Sequence, residues 1–210
     1  MFGLYVSVPI ACFRKGLARE FLESEILPPP STCYGFLLSL VGETDRRRHV
    51  GARVTAGLLN TTELSVVLRT VWRVKSKPLG SSGNTRPDFQ QLLSGIELAV
   101  WLDSSDEPGT VTLESRVREA VVEKRFDAIS RFGGLSLGES THLVNDVLPL
   151  DEKYTNCGRT FLLSPRGRMS LPVWVDHVGS AGTRYSTGDV EECPSGPPTV
   201  DRVPRIEPPE

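Results

Sequence analysis

The chain has 210 residues, is 39% hydrophobic and carries a formal net charge of -2. That length holds one ordinary domain, or a core of roughly 150 residues with a long insertion and a tail. No apolar run approaches bilayer-spanning length, so no membrane partner is expected, and Met1-Phe2-Gly3-Leu4-Tyr5 lacks the basic lead of a secretion signal. Cys12, Cys33, Cys157 and Cys193 share no short spacing, which predicts reduced cytoplasmic thiols rather than disulfides or a zinc site.

Phe2 to Pro9 alternates Leu4, Val6 and Val8 with Tyr5 and Ser7 and predicts a first strand. Pro28-Pro29-Pro30 forces an extended approach. Ser31 or Thr32 then offers an N-cap for a helix from about Cys33 to Val41, stopped by Gly42. That helix is apolar on nearly every side and should be buried. Arg53 to Leu59 and Glu63 to Val74 read as two strands of a hairpin joined through Asn60-Thr61-Thr62, the second long enough to project. The polar link from Lys75 to Asp88 reads as a flexible or partner-ordered loop.

Leu92 to Leu102 reads as the next strand, with a turn at Asp103-Ser104-Ser105-Asp106, and Leu113, Val117, Ala120 and Val121 give an amphipathic helix within Thr112 to Glu123. Arg131-Phe132-Gly133-Gly134-Leu135-Ser136-Leu137-Gly138-Glu139-Ser140 follows. Three glycines and two hydroxyls there can expose backbone N–H groups to a phosphate, with Arg131 supplying charge. The spacing is neither that of a P-loop nor of a dinucleotide fingerprint, so no ATP or NAD cofactor is implied, and a plain glycine-rich bend is the competing reading. Thr160 to Leu163 and Leu171 to Val178 are the expected final strands, Pro172 marking an edge. Residues 1–178 form the expected domain. From Gly179 on, with six prolines after Glu192, an extended or disordered acidic tail is expected. The order β, α, β, β, β, α, β, β suggests an α+β sandwich of ferredoxin or RRM type with a long central hairpin.

Charge is segregated along the chain. Between Thr44 and Pro87, Arg46, Arg47, Arg48, Arg53, Arg69, Arg73, Lys75, Lys77 and Arg86 stand against Asp45 and Glu63, a local +7, whereas residues from Ser186 on sum to -4. Arginine outnumbers lysine by 19 to 5, favouring partners held by bidentate phosphate contacts or by stacking on guanidinium planes.

Four segments in one order resemble the Cas-five family, DevS-like branch, of type I CRISPR effector (Cascade) complexes. They are Pro29 to Glu43, Asn84-Thr85-Arg86-Pro87-Asp88-Phe89, Val100-Trp101-Leu102-Asp103 and the glycine run. The resemblance implies an RRM-like antiparallel sheet with helices on one face and a projecting β-hairpin thumb at about 53–90. It implies a subunit that grips the 5′ handle of the CRISPR RNA (crRNA). Its neighbours would be the backbone subunit and the large, PAM-reading subunit, with target DNA met indirectly through base pairing. A projecting basic hairpin suits single-stranded RNA, where phosphate contacts combine with bases splayed onto aromatic or guanidinium faces.

The expected RNA contacts are Tyr34 at the helix start, Arg46, Arg47, Arg48 and His49 in the following loop, and Arg53, Arg73, Lys75, Lys77 and Arg86 along the hairpin. Arg131, Gly133, Gly134, Ser136, Gly138 and Ser140 would form a second wall. Strand alternation would place Arg73, Lys75 and Lys77 on one face, with Trp72 packing beneath, while Trp101 and Trp174 read as core. An enzyme is the main alternative. Metal-independent ribonucleases similar to this family pair a tyrosine with an adjacent lysine-histidine pair; Lys15, Tyr34, His49, His142 and His177 are available, but no such pair occurs. Neither His-x-x-x-His nor clustered carboxylates suggest a metal. A third reading makes the chain an assembly subunit whose apolar helix and acidic tail are the working surfaces.

Overall fold

A computed structural model of the chain describes residues 1–16, 21–72, 78, 80–151, 158–193 and 196–209. The first strand, β1 (Phe2–Ala11), buries Leu4, Val6 and Val8 on one face, as its alternation requires. Short strands β2 (Phe13–Arg14), β3 (Phe21–Leu22) and β4 (Ser24–Glu25) follow.

Helix α1 (Pro30–Leu40) begins earlier than expected, with Pro29 rather than Ser31 or Thr32 as its N-cap. Pro30 sits in the first turn, where a missing N–H costs nothing and a fixed φ is already helical. Its C-terminus closes in a Schellman motif. Glu43 N–H donates to Leu38 O at 2.8 Å and Gly42 N–H to Ser39 O at 3.2 Å, around Gly42 at φ +67°.

The largest departure from expectation concerns β5 (Arg53–Leu58), β6 (Glu63–Trp72) and β7 (Thr85–Asp103). β5 and β6 do not form a hairpin with each other. Both pair antiparallel with β7, β5 against Leu98–Asp103 and β6 against Thr85–Ser94, so they lie end to end along one edge of a 19-residue strand. The joint is Gly95, at φ +61°, stapled by Asn60, whose side chain donates to Gly95 O (2.6 Å) and accepts from Glu97 N–H (3.1 Å). The thumb is therefore the β6–β7 ribbon. β1 leaves the other edge of β7 at Ala11↔Leu93, and beyond it β3 pairs parallel with Phe89–Gln90 while Ser24 N–H donates to the Gln91 side chain at 3.0 Å.

Helix α2 (Leu113–Val121) starts at Thr112, whose hydroxyl accepts from Ser115 N–H, and buries Leu113, Val117, Ala120 and Val121. Strands β8 (Asp146–Pro149), β9 (Arg159–Leu163), β10 (Met169–Trp174) and β11 (Arg184–Glu192) complete a sheet of order β10-β11-β9-β5-β7-β1-β8. Both helices cover the face bearing Leu4, Val6, Val54, Leu98 and Val100, giving an α+β, ferredoxin-like domain whose main strands pair antiparallel. On the opposite face Trp101 and Ala99 pack with Leu162 and Cys193, and Gly3 makes room for the Trp101 ring, which a Cβ would meet at 2.6 Å. Trp101 and Trp174 are both buried, as expected of core residues.

The described part of residues 179–209 is ordered into the fold, correcting the expectation of an extended or disordered tail. β11 pairs with both β9 and β10. After a 3₁₀ turn at Val200–Arg202, the chain runs along the start of β5, Ile206 exchanging hydrogen bonds with Gly51 and Ala52, and Val54 N–H donating to Pro204 O. Composition misleads here because three apolar anchors suffice. Val203, Pro204 and Ile206 are buried, and Pro204 offers its carbonyl where no N–H is needed.

Candidate nucleic-acid interface

The loop that follows α1 spends most of its charge inside the molecule. Arg46 stacks 3.8 Å from the Trp174 ring centroid and donates to Val175 O at 2.7 Å, and its own carbonyl accepts from the Tyr34 hydroxyl at 2.9 Å. Desolvation of Tyr34 pushes its hydroxyl pKa up, so it remains a proton donor. Arg48 and Arg116 both hold Glu43, at 3.1 and 2.5 Å. Burial raises the Glu43 carboxyl, but the Asp45 N–H, Arg116 and Arg48 outweigh it and set the pKa at about 2.

His49 is removed from the expected RNA contacts. It is 0% exposed, with Nδ1 2.7 Å from Glu107 and Nε2 3.1 Å from an Arg116 N–H. Arg53 is paired with Asp106 at 2.9 Å and donates to Val203 O, which makes it a clasp for the tail. Arg47 alone of the run has an exposed guanidinium without a partner among the described residues.

The thumb shows the same economy. Arg86 pairs with Asp88 at 2.9 Å; Arg69 donates to Gln90 and reaches Glu139 at 3.3 Å, while Gln90 donates to Glu139 at 2.8 Å. These groups share the face turned toward the glycine run. The opposite face is apolar and exposed. Leu64, Val66, Leu68 and Trp72 alternate along β6, and Phe89, opposite Leu68, adds an aromatic ring beside Phe21. Trp72, at 65% exposure, does not pack beneath a basic ridge as expected. Arg73, Lys75 and Lys77 lie outside the described residues.

The glycine run is pinned at both ends and free between. Gly42 abuts Ser130 so closely that a Cβ would stand 2.5 Å from Ser130 O. At the far end Leu137 is buried and bonded to His142 O, Ser136 bridges Leu143, and Gly138, at φ +96°, would place a Cβ 2.8 Å from Cys12 O. Arg131 to Gly134 are exposed, as is Ser140, and Gly133 has φ +79°. Phe132 is fully exposed at 104%. Neither Phe132 nor the apolar ribbon face was singled out from sequence. The signals were an aromatic set between arginine and glycine, and the even-numbered apolar residues of β6.

Two adjoining clefts give the pinned half of this run its neighbours. One, lined by Cys12, Arg14, Thr32, Gly138 and Glu139, begins where Glu139 holds the root of the thumb. The next has a volume of about 380 Å³ and shares Thr32 and Gly138, adding Ser31, Arg46, Ser136 and His177. Tyr34, Arg46, Ser136 and Gly138 are thus brought together from segments about a hundred residues apart; Arg131, Gly133, Gly134 and Ser140 are not in this cleft.

The candidate catalytic groups are scattered by comparison. Lys15 pairs with Glu23 at 3.6 Å, and His142 accepts from Cys12 N–H at 3.2 Å. Tyr34 and His177 line one cleft, with the Tyr34 hydroxyl committed to Arg46. Among the described residues no cluster of three His, Cys, Asp or Glu is placed to hold a metal, and no helix is long and apolar enough to cross a membrane.

The chain is 53% identical over 210 residues to CRISPR-associated protein Cas5 of Myxococcus xanthus (strain DK1622), covering 98% of this chain and 97% of that protein. No family model matches. In fold, it resembles a chain of a solved CRISPR RNA-guided surveillance complex, with TM-score 0.61 and 14% identity over 92% of this chain and 89% of that one. A crystal structure of a Cas protein is also similar, at TM-score 0.51 and 15% identity over 94% and 99% of the two chains.

Proposed function

Because the chain belongs to the CRISPR-associated Cas5 family, we propose that it is a non-catalytic, RNA-binding subunit of a type I CRISPR effector complex that grips the 5′ handle of the crRNA. The observation that carries this reading is the pair of adjoining clefts that share Thr32 and Gly138, one reaching Glu139 beside the thumb and the other Arg46 and His177. The first turn of a buried helix walls one side and a glycine-bearing loop the other; Pro30 has no N–H and Thr32 gives its own to Pro29 O, so a phosphate there would meet Ser31, Thr32 and the loop backbone rather than a row of free helix donors. Arg46 is held there by Trp174 and gives one N–H to Val175, leaving other donors of its guanidinium for a ligand.

Arg46, Arg47, Arg131, Gly133, Gly134, Ser136, Gly138 and Ser140 are the proposed RNA contacts, and Arg73, Lys75 and Lys77, outside the described residues, are proposed with them on their charge alone. Tyr34 positions Arg46 through its carbonyl. Arg48, Arg53 and Arg86 are neutralised within the fold and take no part.

The partners follow from the thumb. An isolated two-stranded ribbon is marginal in water, and this one leaves one apolar face exposed. A neighbouring protein subunit, the backbone subunit of the complex, is the proposed cover, with the large subunit adjoining and target DNA met only through the assembled guide.

The test is a titration of the full-length protein with repeat-derived RNA over a salt series. Binding should weaken steeply with salt, by about 0.7 in logarithmic slope per phosphate contact. Absence of binding, both alone and with the backbone subunit, would reject the RNA-binding role, and cleavage of that RNA would reject the non-catalytic one.

A further inference from the structure

Phe132 has no structural explanation within the chain. A phenylalanine wholly in water gains nothing for the fold, because none of its apolar area is removed from solvent. The two ends of its segment are nonetheless fixed. Ser130 is locked under the Gly42 turn, and Leu137 and Gly138 are locked against the core, so the segment between them is held out from a rigid base. Its two sequence neighbours, Arg131 and Gly133, line a groove of about 310 Å³ floored by Leu40, Ile129 and Val147 and flanked by a second exposed aromatic, Phe126. Among the described residues the Arg131 guanidinium has no ion-pair or hydrogen-bond partner.

We propose that Phe132 is a stacking platform for one unpaired nucleobase of bound RNA, with Arg131 meeting the adjoining phosphate. The inference rests on the RNA-binding reading and adds to it a base contact on the other flank of the glycine run from the thumb-root groove. The chemistry selects a nucleobase over a protein surface. The ring is aromatic, flat and accessible, an unneutralised cation stands beside it, and Gly133 at φ +79° opens the backbone to an anion. The ribbon face offers the contrast: its exposed aromatics, Trp72 and Phe89, lie among Leu64, Val66 and Leu68, and the arginines behind it, Arg69 and Arg86, are paired with Glu139 and Asp88. Stacking tolerates any base, so the site holds the strand without reading its sequence.

The experiment uses full-length protein with three 12-nucleotide probes: oligo-rA, oligo-rU and an abasic ribose-phosphate oligomer. Wild type should bind oligo-rA more tightly than the abasic oligomer, and Phe132→Ala should weaken oligo-rA binding by about 5- to 100-fold. The variant should also lose the preference for bases while keeping the wild-type circular dichroism spectrum. Phe132→Trp should retain affinity and show emission that oligo-rA quenches and the abasic oligomer does not. Unchanged oligo-rA affinity in Phe132→Ala, or no added quenching in Phe132→Trp, overturns the inference while leaving the RNA-binding reading standing. Loss of partner-subunit capture in Phe132→Ala, with RNA affinity intact, reassigns the ring to a protein contact. Failure of wild type to bind any probe or repeat RNA removes both readings together.

Discussion

Two parts of this molecule stand clear of its core, and they are built in opposite ways. The β6–β7 ribbon lies in a basic stretch, yet Arg69 and Arg86 are tied to Glu139 and Asp88, and its free face is Leu64, Val66, Leu68, Trp72 and Phe89. The glycine run has little net charge, yet Arg131 is unpaired among the described residues and Phe132 is bare. A local sum of +7 therefore overstates the cation that the ribbon's described residues offer to a polyanion. What matters for binding is charge that no internal carboxylate has already neutralised.

The largest effect expected is from breaking the base on which the loop stands. Gly42→Val would put a β-branched residue at φ +67° with its Cβ against Ser130 O, so strain and overpacking together should cost about 2–5 kcal/mol in urea-measured stability. RNA affinity should fall with it, because the loop is then unpinned. Gly134→Val is the control. Gly134 has no positive φ, and its added Cβ would meet only the end of the exposed Leu143 side chain at 2.9 Å, so stability should change by less than about 1 kcal/mol. Equal destabilisation by both would show that the loop is anchored elsewhere.

The arginine run after α1 groups with the ribbon, and acid should reveal it. Glu43, held near pKa 2 by the Asp45 N–H, Arg116 and Arg48 against the opposing effect of burial, has a folded pKa below its unfolded value of about 4.5. Its contribution is thus complete above about pH 4.5 and lost as pH falls through 2, with a slope of at most about 1.4 kcal/mol per pH unit for the one proton. Glu43→Gln should lower stability at pH 7 and flatten the wild-type slope between pH 4.5 and 2. An unchanged acid limb would mean that Arg48 and Arg116 do not hold that carboxylate in solution.

The ribbon face should affect assembly and little else. Leu68→Asp places a charge at the centre of that face, opposite Phe89. It should reduce capture of the backbone subunit by about tenfold or more, an effect of 1–2 kcal/mol, while oligo-rA affinity of the isolated chain stays within about twofold. The reverse pattern would move RNA onto the ribbon and erase the distinction drawn between the two regions.

Much of this arrangement was legible in the residues, and the losses have physical causes. The alternation of β1, the apolar helix and the Leu113-Val117-Ala120-Val121 stripe are local patterns, and local patterns survive into the fold. Pairing partners are not local. Arg53–Leu58 and Glu63–Trp72 were readable as strands, but only a 19-residue β7 explains why neither is the other's partner, and Gly95 with Asn60 marks that joint only in retrospect. The tail was misjudged because composition averages over Val203, Pro204 and Ile206, three residues that decide its docking. His49 was grouped with its arginine neighbours, although Glu107 and Arg116, far off in sequence, enclose it.

The smallest effect is the most discriminating, because it compares one cation from each region in a single measurement. Arg69 sits 3.3 Å from Glu139 with both groups partly exposed, a pair whose coupling in a double-mutant cycle should be about 0.2–1 kcal/mol. Neutralising it removes a charge already matched, so Arg69→Ala should leave the salt dependence of RNA binding nearly unchanged. Arg131 has no such partner among the described residues, and Arg131→Ala should reduce the slope by about 0.7, the release of one counterion from a single strand. The comparison needs no knowledge of which handle sequence is bound, since phosphate contacts weaken all sequences alike. Equal changes in slope would mean that Arg69 leaves Glu139 when RNA arrives, making the thumb root a switch between an internal carboxylate and an external phosphate rather than a fixed strut.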